Sequence, residues 1–112
     1  NKMKPEQLKL YNKYKNINNP NNTQFIYIGI DNNNYYCFLI KDEKGNNRLS
    51  FFYLINHGFN PHKIINNLNL EIVKKYGNKY ITCYYLLSYS KEYIETNLKP
   101  ILKDKLNNIL NR

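Results

Sequence analysis

Between residues 25 and 55 the chain alternates short apolar, aromatic and β-branched runs with clusters of Asn, Asp and Gly. The apolar run at 25–30, the turn at 31–34, the run at 35–40 and the turn at 42–47 predict two strands of an antiparallel meander. A third strand is expected over 49–55, because the Gly45-Asn46-Asn47 turn before it suits a hairpin. The same residues admit a second reading, in which Ser50 caps a short helix that Gly58 ends, so that 50–68 form a helix-turn-helix pair.

Alternation along a strand puts Ile26, Ile28 and Ile30 on one face, and Phe25, Tyr27 and Gly29 on the other. In the next strand Tyr36, Phe38 and Ile40 oppose Tyr35, Cys37 and Leu39. Both faces are apolar. Such a sheet is either covered on both sides, or covered on one with an aromatic platform open on the other.

Helical spacing marks the flanks. Pro5 with Leu8, Tyr11 and Tyr14 predicts a helix over 5–16, followed by a loop around Pro20. Asn60 and Pro61 open a second helix in which Ile64, Ile65, Leu68, Ile72, Val73 and Tyr76 recur at helical spacing until Gly77. A fourth strand is expected over 80–87, lying parallel to a neighbour through a right-handed crossover. Ser90 opens a last helix burying Ile94, Leu98, Leu102, Leu106 and Ile109 or Leu110, with a kink at Pro100. The sum is an α+β fold: one domain over 1–112, a three-stranded antiparallel meander plus a fourth strand, packed by two to three helices, with 1–4 and 16–23 flexible.

Composition narrows the function. The 112 residues carry 17 Lys+Arg against 8 Asp+Glu, a net charge of +9 that attracts polyanions. Lys can also serve only to solubilise a surface, and the sole arginines are Arg48 and Arg112. Asn, Lys, Ile and Tyr dominate while Ala and Trp are absent, the bias expected of an AT-rich genome. No apolar run approaches the length of a membrane span and no leader pattern is present, which sets the expectation of a soluble, intracellular protein. Cys37 and Cys83 sit singly in apolar runs and are read as core thiols.

Catalytic chemistry finds little support. Asp31 followed by Asp42-Glu43-Lys44 resembles, in letters, the acid and acid-x-Lys pattern of metal-dependent nucleases. Asp42 to Lys44 fall in a turn, however, and a metal site needs further converging carboxylates. Both Asp are read as turn residues. His57 and His62 lack the paired ligands of a zinc site, no glycine-rich phosphate loop is present, and no cofactor, metal or small-molecule substrate is expected.

Basic charge beside aromatic rings remains. Lys41, Lys44 and Arg48 on the hairpin, and Lys63, Lys74, Lys75 and Lys79 around the second helix, are the expected contacts to phosphates, with Tyr35 and Tyr53 among the Tyr available for stacking. The leading expectation is a non-enzymatic DNA- or RNA-binding protein. The alternative is a protein-interaction module, an inhibitor, adaptor, assembly subunit or homodimer.

Overall fold

A computed structural model describes residues 3–19, 21 and 23–101. The chain is α+β, with two antiparallel sheets and short helices. The central hairpin forms as its sequence directs: β2 (Phe25–Ile30) and β3 (Tyr36–Lys41) pair antiparallel. They are the inner strands of a five-stranded sheet completed by β1 (Lys13–Asn16), β7 (Tyr84–Tyr89) and β8 (Leu98–Pro100), in the order β7-β3-β2-β1-β8.

Both faces of this sheet are covered. Ile26, Ile28, Cys37 and Leu39 pack into a cluster with Leu49, Phe51, Leu54, Ile64 and Ile81. Phe25, Tyr27, Phe38 and Ile40 pack into a second cluster with Met3, Tyr14, Ile94 and Leu98. The alternation therefore sorts residues as expected, except at Gly29 and Ile30, which exchange faces. The register steps from Tyr27↔Phe38 to Gly29↔Cys37, which leaves Ile28 as a bulge and turns Ile30 to the opposite face, where it is half exposed.

Residues 5–16 do not form a helix. Pro5–Gln7 make one 3-10 turn, Tyr11 takes a left-handed φ of 68°, and 13–16 join the sheet as β1. The apolar residues that mimic a helical stripe serve two layers, with Leu8 and Tyr14 against one cluster and Tyr11 against the other. A single short helix is marginal alone, and strand pairing supplies what local propensity does not.

The ambiguous segment takes its second reading. β4 (Arg48–Ser50) is short, and α1 (Phe51–Asn56) begins where the Ser50 hydroxyl accepts from the Phe52 amide at 3.1 Å. The chain leaves α1 through Gly58, whose φ of 92° suits glycine. Helix α2 (Pro61–Leu68) opens on Asn60 as expected, but ends eight residues before Tyr76 because Asn69 adopts the left-handed conformation at its C-cap.

The residues beyond Asn69 form a hairpin, β5 (Ile72–Lys75) and β6 (Asn78–Thr82), and β4, β6 and β5 make a second, three-stranded sheet. The expected strand over 80–87 is thus two strands in two sheets, broken at Cys83, where φ is 67°. All pairings described are antiparallel, including β7 with β3, in place of the parallel crossover. Ser90 caps α3 (Lys91–Asn97) as expected, and the chain then runs extended as β8 along β1. Pro100, which has no amide to donate, ends this edge strand. Leu102, Leu106, Ile109 and Leu110 lie outside the described residues.

Candidate functional site

The β5–β6 hairpin sets Lys74 and Lys79 directly opposite one another, with Lys75 beside them. Ile72, Val73, Lys74 and Lys75 are all exposed, and β5 is an edge with β6 as its one neighbour. Registry pairs Ile72 with Ile81, Val73 with Tyr80, Lys74 with Lys79 and Lys75 with Asn78. Alternate residues share a face, so Lys74 and Lys79 continue the Ile72–Ile81 side outward, past the end of the core. The Lys79 ammonium lies 6.0 Å from the centre of the Phe51 ring, and His62 meets the same ring edge-on at 5.4 Å.

Like charges directly opposite on a ladder repel. No Asp or Glu occurs between Ile72 and Lys91, and none of the ion pairs among the described residues includes Lys74, Lys75 or Lys79. The two-residue tip is Tyr76-Gly77, with φ of 52° and 78°, the pattern of a type I′ turn. Tyr76 is 89% exposed, and its recorded ring contact is with the Lys75 ammonium, 5.3 Å from the ring centre. A Cβ built on Gly77 meets nothing within 4 Å, so the tip stands in open space.

No protein-family model, curated protein or solved structure matches this chain. Its site is therefore read from its own residues.

The other expected phosphate contacts lie apart from the hairpin tip, and those of the 41–48 segment sit beside Asp42 and Glu43. The Asp42 carboxylate gathers the 42–47 loop, accepting from the amides of Lys44, Asn46 and Asn47 and from the Asn47 side chain. Arg48 turns back onto the same loop, donating to the Gly45 and Asn47 carbonyls at 2.8 and 3.0 Å. Lys44 is exposed beside them. Lys41 lines a cleft of about 610 Å³ with Lys13, Glu43 and Tyr84. Lys63 is exposed on α2 and borders a smaller hollow with Leu10 and Phe59.

Tyr35 is half exposed where the 31–35 turn enters β3, and Tyr53 meets His57 at a tilt of 58° with ring centroids 4.5 Å apart. Tyr27 is buried between the sheet and its cover, and burial pushes its hydroxyl up to about 12. The strand Tyr form no open platform. Tyr89 and Tyr93 instead stack on one another at 4.2 Å beside the second core.

Asp31 and His57 form a structural staple. Asp31 Oδ1 accepts from the amides of Asn33 and Tyr35 at 2.9 and 3.0 Å, and Oδ2 lies 3.3 Å from His57 Nδ1. A carboxylate only accepts, so the ring nitrogen is the donor. The contact ties the β2–β3 turn to the C-terminus of α1, which the Asn32 amide reinforces by donating to the His57 carbonyl. Cys37 is fully buried, and desolvation raises its thiol to about 11, so it stays protonated in the core. Among the described residues no three His, Cys, Asp or Glu side chains gather as a metal site, and no helix is long and apolar enough to cross a membrane.

Tyr76 and the tip geometry escaped sequence reasoning, which extended the α2 stripe through Ile72, Val73 and Tyr76. The signal was present. Two β-favouring pairs, Ile72-Val73 and Tyr80-Ile81, flank a centre at Tyr76-Gly77, as a hairpin requires.

Proposed function

We propose that this chain is a small, basic nucleic-acid-binding protein that acts by binding without chemistry, with the β5–β6 hairpin as its contact surface. The observation that carries the reading is the direct opposition of Lys74 and Lys79, beside Lys75, on a projecting ribbon that holds no acid. Lysines on an edge strand also discourage sheet-to-sheet association, which accounts for Lys74 and Lys75. That explanation does not reach Lys79, which belongs to the inner strand β6 and repels Lys74. A phosphate backbone running along the Lys74–Lys79 face relieves their repulsion, and Lys75 adds a cation beside the tip.

Anisotropy of labelled oligonucleotides across a salt series tests this. Affinity is expected to fall steeply with salt, and replacing Lys74, Lys75 and Lys79 by Gln is expected to reduce the log–log slope by about 2 on single strands. Affinity that is independent of salt, or a slope unchanged in the triple variant, contradicts it.

A second reading rests on a different observation. Phe52, Tyr53 and Ile55 are exposed on α1, Phe52 to 68%, an apolar surface of the kind that marks protein contacts. Under that reading the chain is an interaction module or homodimer joined through α1, and light scattering gives twice the 13.5 kDa mass of one chain.

A further inference from the structure

Tyr76 holds a left-handed φ of 52° with its side chain in solvent. Five non-glycine residues among those described have positive φ: Tyr11, Asn34, Asn69, Tyr76 and Cys83. Asn34 and Asn69 are the residue type that tolerates this conformation best. Tyr11 recovers its cost by packing against the first core cluster, and Cys83 forms the corner between the two sheets, with its amide and carbonyl both bonded to the 42–47 loop. Tyr76 has no such return. Its ring faces solvent at 89% exposure, in a type I′ position where Asn is strongly preferred and in a chain rich in Asn. A residue that strains the turn and buries nothing has its use outside the fold.

From this we infer that Tyr76 is a stacking residue for an unpaired base, and that the ligand of the hairpin is a single nucleic-acid strand. The inference rests on the nucleic-acid reading given above. A free aromatic ring at the end of a ribbon offers its face to a π-surface, and bases expose that face only where they are unpaired. Lys75, Lys74 and Lys79 stand on the strands immediately behind the ring, where the phosphates flanking a stacked base run. Duplex DNA offers the same lysines its phosphates but gives the ring no base face to lie on. Anchoring in an anionic membrane calls for a broader apolar surface than one ring. The tip carries Lys75, Gly77 and Asn78 around Tyr76, while Ile72 and Val73 lie at the far end of β5.

The test compares the parent with Tyr76→Ala, Tyr76→Phe and Tyr76→Asn on labelled oligothymidylate, oligouridylate and a DNA duplex of equal length. Oligothymidylate and oligouridylate separate a DNA from an RNA source of the same chemistry. Tyr76→Ala and Tyr76→Asn are expected to weaken single-strand binding about ten-fold or more while leaving duplex binding and the salt slope nearly unchanged. Tyr76→Phe retains affinity, because stacking needs the ring and not the hydroxyl. Tyr76→Asn installs the preferred turn residue, so its melting temperature is expected to equal or exceed that of the parent, which separates lost binding from lost folding.

Equal losses on single strand and duplex, or no loss on either, overturn the stacking role while salt-sensitive binding leaves the nucleic-acid reading standing. Failure of the parent to bind any oligonucleotide at low salt removes both. Tyr76-dependent capture by vesicles containing phosphatidylserine, without oligonucleotide binding, assigns the tip to a membrane surface instead.

Discussion

Asp31 illustrates how a residue with catalytic lettering does structural work. Burial acts to raise its pKa, but the amides of Tyr35 and Asn33 and the His57 ring outweigh burial and hold the carboxyl below its ordinary value. A carboxyl with a lowered folded pKa contributes stability above its unfolded pKa and loses it as pH falls through the folded one. Thermal stability is therefore expected to decline below about pH 4, and Asp31→Asn is expected to flatten part of that decline, with a further part from Asp42, whose carboxyl is also held low. Superimposable acid profiles of parent and variant contradict the staple. The turn role of Asp31 was legible in the sequence, because Asp before Asn-Asn-Asn is turn chemistry wherever it falls. The partnership with His57 was not, since it joins side chains 26 residues apart.

At the scale of elements, caps carried more information than stripes. Ser50, Asn60 and Ser90 all accept from the amide of the second or third residue of the helices they open, and each was readable from the sequence. Ser50→Ala is expected to cost about 1 kcal/mol in urea unfolding, with the m-value unchanged. A shift within error assigns the start of α1 to packing of Phe51 and Leu54 alone. Three of the failures share one cause. Tyr11, Asn69 and Cys83 reverse the chain with left-handed φ inside runs whose spacing continues across them, so apolar periodicity carried each predicted element past its real end. The hairpin that bears Lys74, Lys75 and Lys79 was hidden in this way, as the tail of a helix.

For the molecule as a whole, the two-sided apolar pattern of β2 and β3 posed a choice between a sheet covered twice and a sheet with one aromatic face open. The chain covers it twice, with α1, α2 and the small sheet on one side and α3 and the amino-terminal segment on the other. Phe38, fully buried, meets Tyr14, Phe25, Tyr27 and Tyr89, so the Tyr of the strands are spent on packing. With the strand faces covered, the proposed contact surface is the lysines and the exposed Tyr76 ring of the β5–β6 ribbon. The measurement that tests this location most directly is amide chemical-shift mapping of the labelled protein during titration with oligothymidylate at low salt. Perturbations centred on 72–82, with Tyr76 among the largest, are the expected result. Shifts centred on the exposed residues of α1 or on the 42–47 loop, with the hairpin silent, contradict it.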